Sequence, residues 1–205
     1  MQRDPARAML IDLDGVLRRW DPSIAAGVEK SYHLETGLLT RTAFAWELLR
    51  PAVTGELTDA EWMGLVADRL PLPSADAAAA VAEWQQHRGT VDPDVLGFVR
   101  DVRAAGRPVG LATNATDLLR GDLESLGLTD EFDAVISSWE LKIHKPAPEF
   151  FAQACEALGL DPQWVLFVDD DDRAVLGARV AKLPAYRWTG PQGLAYLRRA
   201  LGLPA

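Results

Sequence analysis

Four short apolar runs in the second half of this chain each end in polar residues, and a stretch with helical periodicity follows each one. RPVGLAT (107–113) precedes DLLRGDLESLG (117–127), and FDAVISS (132–138) precedes APEFFAQACEALG (147–159). WVLFVDD (164–170) precedes RAVLGARVAK (173–182), and AYRW (185–188) precedes QGLAYLRRALG (192–202). Strands that alternate with helices at this pace form right-handed crossover units on a parallel sheet. Gly127 stands where the helix before it should end, and Pro146 and Pro148 stand near the start of another. AMLIDLDG (8–15) supplies one more apolar strand near the N-terminus. The expected fold class is α/β, with a Rossmann-like parallel sheet.

The first strand and the strand at 108–113 are separated by a region of different texture. IAAGVEKSYHLETG (24–37), RTAFAWELLR (41–50), DAEWMGLVADRL (59–70) and DAAAAVAEWQQH (76–87) all carry helical patterns and little strand signal. Thr58 with Glu61 three residues later has the form of a capping box, and LPLPSAD (70–76) is a proline-rich break. VDPDVLGFVRDVRAAG (91–106) then returns to the core as a helix closed by Gly106. The expected organisation is a split core, residues 1–16 and 90–205, interrupted by a helical insertion over 17–89.

Composition narrows the function classes. The chain has 205 residues, 48% of them hydrophobic, with a formal net charge of −9. There is no basic stripe to neutralise phosphates, so nucleic acid is not an expected partner. One cysteine, Cys155, excludes an internal disulfide, and no Cys/His cluster points to zinc. The apolar run at the start is short and broken by Asp12, unlike a signal peptide or a membrane span. A cytoplasmic protein is expected, and nothing in the chain specifies an oligomeric state.

The residues that carry chemistry cluster at the ends of the apolar runs, where parallel sheets bind ligands. In LIDLDG, Asp12 and Asp14 are two apart on a strand and project to one side; alone, the motif equally fits a strand ending in an Asp-Gly turn. Thr113 and Asn114 in LATNAT fit an anion cradle or a helix cap. Lys142 and Lys145 follow in KIHKPAPEF, and Lys145 facing carboxylates would act as a compact positive charge. FVDDDD then places Asp169, Asp170, Asp171 and Asp172 in sequence. Two carboxylates about 4 Å apart repel by roughly 4 kcal/mol at an effective dielectric near 20. That repulsion must be offset by a helix dipole, a divalent cation or both.

Taken in order, acid-x-acid, Thr-Asn, Lys-Pro and paired acids resemble the four motifs of the haloacid dehalogenase-like hydrolase superfamily. TGELTDAEW (54–62) and SSWELKIHKPAPEFF (137–151) also resemble that family's sequences. The resemblance covers the whole chain and implies a Rossmann-like core with a helical cap inserted after the first motif. By resemblance, Asp12 is the nucleophile and Asp14 the general acid/base. Thr113 binds phosphate, with Asn114 beside it, and Lys145 orders nucleophile and phosphate. Mg²⁺ is the implied cofactor, held by Asp12, Asp14, Asp170 and neighbouring Asp169. Asp171 and Asp172 are expected at the helix start, using its dipole. One departure is Ala174, where the family often has Asp or Asn. Arg18 and Trp20, directly after the first motif, are candidate substrate contacts. The implied activity is Mg²⁺-dependent hydrolysis of a small phosphomonoester through an aspartyl-phosphate. A non-catalytic phosphate- or metal-binding protein, a phosphomutase and a haloacid dehalogenase are the alternatives.

Overall fold

The computed structural model describes residues 4–204; residues 1–3 and 205, at the ends of the expected core, lie outside the described residues. The elements run β1 (Ala8–Ile11), β2 (Arg18–Arg19), α1 (Pro22–Ser31), α2 (Leu38–Ala43), α3 (Trp46–Val53), α4 (Asp59–Asp68), α5 (Ser74–Gln85) and β3 (Thr90–Val91). They continue with α6 (Pro93–Ala104), β4 (Val109–Thr113), α7 (Leu119–Ser125), β5 (Ala134–Ser137), α8 (Ser138–Leu141), α9 (Pro148–Ala157), β6 (Val165–Asp169), α10 (Asp172–Val180), β7 (Ala185–Arg187) and α11 (Leu194–Ala200).

Five strands form one sheet in the order β5-β4-β1-β6-β7, parallel at every pairing. The expected α/β Rossmann-like architecture is present. Strand β1 lies between β4 and β6, so its end is flanked by the ends of both. Alternation along β1 separates the core into two layers, because successive side chains leave opposite faces. Met9 and Ile11 join Phe98, Val102, Leu123 and Leu201 on one side. Ala8 and Leu10 join Phe150, Phe151, Cys155 and Phe167 on the other. Burial on both faces is why these strands read as near-continuous apolar runs.

Helices α1 to α5 lie between β2 and β3 and close around their own cluster, which includes Leu39, Leu48, Trp62, Met63, Val66 and Val81. The Thr58–Glu61 capping box forms at the start of α4, with reciprocal side-chain and backbone bonds. The single helix expected over 41–50 is broken into α2 and α3 around Phe44 and Ala45. The break aims Phe44 at Trp62 and Trp84, with ring centroids 6.4 and 6.5 Å away. The sequence showed no strand at the two chain crossings, yet β2 and β3 pair there antiparallel, Arg18 with Val91 and Arg19 with Thr90.

The insertion also touches the core far from those crossings. Ser138 Oγ donates to Val53 O at 2.6 Å, Trp139 Nε1 to Leu57 O at 3.2 Å and Lys142 Nζ to Gly55 O at 3.1 Å. Asp117 accepts from Asp59 N at 2.6 Å, and Thr116 Oγ1 donates to Asp59 Oδ1 at 3.1 Å. The turn between α3 and α4 is thus bound to α8 and to the loop after β4. No helix among the described residues is long and apolar enough to cross a membrane.

Candidate active site

The sheet brings Asp12, Thr113, Lys145, Asp169 and Asp170 to one end. Asp12 directly extends β1 and still bonds in the ladder, its N–H donating to Val168 O at 2.9 Å. Lys145 is 5% exposed, and its ammonium bridges two carboxylates, 2.8 Å from Asp12 Oδ1 and 2.6 Å from Asp169 Oδ2. The Lys145 ammonium is thus the close charged partner of Asp12 Oδ1, and two carboxylates share it. Thr113 Oγ1, on a side chain only 1% exposed, has no partner among the described residues. Most buried polar atoms are satisfied, and the Thr113 hydroxyl at these strand ends is what a polar ligand would satisfy.

Electrostatics here are dominated by burial. Burial drives the Asp12 carboxyl up to about 7, with Asp169 adding to the rise and Lys145 opposing it. Burial works against the Lys145 ammonium, but Asp12 and Asp169 outweigh it and hold Lys145 above the ordinary lysine value. Asp170 is also raised, by burial first and then by Asp169. Three carboxylates here face a single ammonium.

Oxygens from Asp12, Asp169 and Asp170 all lie within 4.8 Å of one another. Three hard oxygen donors with an excess of negative charge fit a divalent cation such as Mg²⁺. Gly15 matters for this cluster: its φ is +79°, and a Cβ there would come within 2.0 Å of Asp170 Oδ2. The four-aspartate run is divided. Asp171 is the N-cap of α10, its side chain accepting from Arg173 N at 2.9 Å. Asp172 opens that helix and pairs with Arg187 at 3.0 Å. Ala174 is buried in the core beneath them.

The other expected site residues have different partners. Asn114 Nδ2 donates to Lys145 O at 3.1 Å, and Lys145 N donates to Asn114 Oδ1 at 2.8 Å. The Asn114 side chain therefore grips the lysine loop. Arg18 is 4% exposed, so it is no free arm at the opening. Its Nε and Nη2 bind Asp14 Oδ1 and Oδ2 at 2.7 and 2.9 Å, and its Nη1 binds Asp122 at 2.7 Å. Trp20, 44% exposed, donates its Nε1–H to Asp14 Oδ1. Asp14 thus sits two residues from Asp12 on the rim, held by Arg18 and Trp20.

Asp122 and Ser138 were not legible as site residues. Asp122 lies 104 positions from Arg18 in an ordinary helical pattern, and no local signal marks it. Ser138 accepts from Ala115 N at 3.0 Å and is fully buried between the β4 loop and the insertion. The paired serines in ISSWEL were its only hint.

Carboxylates at the ends of the adjacent parallel strands β1 and β6 thus meet one buried lysine from the loop after α8. The family model of the haloacid dehalogenase-like hydrolases matches residues 6–182, and the chain belongs to that family. An (S)-2-haloacid dehalogenase from Xanthobacter autotrophicus is 34% identical over 142 residues, 69% of this chain and 52% of that protein. A phosphoglycolate phosphatase from Thiobacillus denitrificans is 29% identical over 199 residues, 89% of this chain and 82% of that protein. The chain spans about half the length of the haloacid dehalogenases it matches. A HAD-family enzyme structure from Bacteroides thetaiotaomicron superposes with a TM-score of 0.74 at 21% identity, covering 95% of this chain and 98% of that one. That likeness concerns the fold.

Proposed function

We propose that this chain is a Mg²⁺-dependent phosphomonoester hydrolase acting on a small phosphorylated metabolite. The observation that carries the reading is the second carboxylate, Asp14, beside a buried nucleophile candidate whose neighbours Asp169 and Asp170 suit a cation. Displacement of a halide requires a nucleophile alone; proton delivery to a leaving alcohol requires a second acid. Phosphatases and dehalogenases both occur among the relatives, so the site has to discriminate.

In this reading an Asp12 carboxylate oxygen attacks phosphorus, and the bond from phosphorus to the substrate oxygen breaks. Asp14 gives a proton to the departing alkoxide, a contribution typically worth about 10²–10⁴ in rate. Asp14 then takes a proton from water as that water attacks the aspartyl-phosphate. The bond to Asp12 breaks, and phosphate and the free carboxylate result. Thr113 Oγ1 binds a phosphoryl oxygen, and Lys145 holds Asp12 in line while neutralising developing charge. Mg²⁺, held by Asp12, Asp169 or Asp170 and the Asp14 carbonyl, would supply further charge neutralisation when bound. The helical insertion would act as a cap that excludes water and selects the substrate.

The test is phosphate release from a panel of small phosphomonoesters, with Mg²⁺ and with a chelator, alongside halide release from 2-haloacids. Mg²⁺-dependent phosphate release supports the reading. Halide release without phosphate release replaces it with the dehalogenase reading.

A further inference from the structure

The Arg18 guanidinium is the most heavily engaged buried cation outside the Asp12–Lys145–Asp169 centre. Arg18 lies on β2, the first chain crossing into the insertion. Arg88, just ahead of β3 at the second crossing, binds Asp122 through Nε at 2.9 Å and Nη2 at 2.8 Å. Both crossings therefore converge on one carboxylate of α7. Asp122 carries one negative charge against two guanidiniums, and on its own it would tie both crossings to α7. Yet the two-pronged face of Arg18, Nε with Nη2, is turned to Asp14, and only Nη1 reaches Asp122.

A forked guanidinium–carboxylate pair fixes the plane of the carboxylate as well as its position. Backbone bonds lock the same loop, Gly15 N donating to Arg18 O at 2.9 Å and Arg18 N to Leu13 O at 2.7 Å. Trp20 adds a donor to Asp14 Oδ1 and lays its ring 4.6 Å from the Arg18 guanidinium. Oδ1 thus accepts two bonds and Oδ2 one, which leaves Oδ2 with a free acceptor site.

We infer that Arg18 is a positioning residue for Asp14, anchored by Asp122 and assisted by Trp20, and that it aims Asp14 Oδ2 for proton exchange. The inference rests on the proposed phosphatase reading, in which Asp14 is the acid/base. It ties that residue's aim to the two segments through which the insertion joins the core.

The test compares kcat/KM for an alkyl phosphate, whose alkoxide needs a proton to leave, with p-nitrophenyl phosphate, whose phenolate leaves without one. Arg18→Gln is expected to lose about 10²-fold on the alkyl ester and no more than about threefold on the aryl ester, since only the first step needs acid catalysis. Adding Arg18→Gln to Asp14→Asn is expected to cost nothing further on the alkyl ester, because residues acting through one another are not additive. Trp20→Phe, at an exposed position, keeps the test intact if Arg18→Gln fails to fold; it should show the same split at smaller size. Equal losses on both esters, no loss in either variant, or losses that multiply with Asp14→Asn would overturn the inference and leave Arg18 as a structural tie. Wild-type protein that turns over neither ester overturns the phosphatase reading and this inference with it. Wild-type turnover that falls in Asp14→Asn, with no split in the Arg18 and Trp20 variants, overturns this inference alone.

Discussion

Asp12 and Asp14 leave the same strand end two residues apart, yet the fold treats their charges in opposite ways. Asp12 is buried and shares its one close cation, Lys145, with Asp169. Asp14 is on the rim, with three donors from Arg18 and Trp20 fixing both its oxygens. The first arrangement gives a carboxylate only a share of one cation, which suits a group that must form a bond. The second fixes a direction, which suits a group that must hand over a proton. The cost of the first is electrostatic, since burial penalises the charged form; the cost of the second is the ordering of long side chains.

The comparison breaks most sharply with Asp12→Asn. Phosphate release should fall by on the order of 10⁴-fold or more, as when one member of a catalytic set is removed. The melting temperature should hold or rise, because a buried ionisable group with raised pKa is removed. A melting temperature that falls steeply would mean that Asp12 is chiefly structural.

Lys145→Ala should act on stability. Removing the shared cation leaves Asp12 and Asp169 buried and facing one another, and breaking such a pair costs about 3–5 kcal/mol. Denaturant unfolding measures this. A loss below about 1 kcal/mol, typical of an exposed pair, would place the trio in solvent-like surroundings.

Gly15→Ala tests the link between the two carboxylates. The positive φ should cost about 1–2 kcal/mol, and the new methyl should push Asp170 aside. Mg²⁺ titration followed by thermal shift should show weaker binding. Unchanged affinity would remove Asp170 from the cation set.

The smallest effect concerns pH. Asp12's folded value, about 7, lies above its ordinary 3.8, so folding favours the neutral carboxyl. That contribution to stability is fully present below about 3.8 and is lost as pH rises through about 7. A divalent cation needs the ionised form. Thermal stabilisation by Mg²⁺ should therefore grow from pH 5.5 to 8, and a flat response would contradict the buried Asp12.

Much of the deep site was legible in the sequence, because its members apart from Lys145 sit at the ends of strong local patterns. Apolar runs closing in Asp12, Thr113 and Asp169 mark strand ends, and a parallel sheet gathers strand ends without further instruction. The helix-start role of Asp171 follows from the same local logic. The rim was not legible. Arg18 read as open to substrate because one of its partners, Asp122, is far off in sequence and carries no motif. Strands β2 and β3 have two residues each, too short for any periodicity to show. Asn114 was read from its place after β4, whereas its amide is used across space on the Lys145 backbone. Pairings set by tertiary approach leave no local periodicity to read.

In the proposed reaction Asp12 carries the phosphoryl group during turnover. The direct measurement is acid quench during turnover of a radiolabelled phosphomonoester with Mg²⁺, followed by digestion and peptide mapping. The account predicts label on the peptide bearing Asp12 and none in Asp12→Asn. Sustained phosphate release with no trapped label, or label on a different residue, would contradict it.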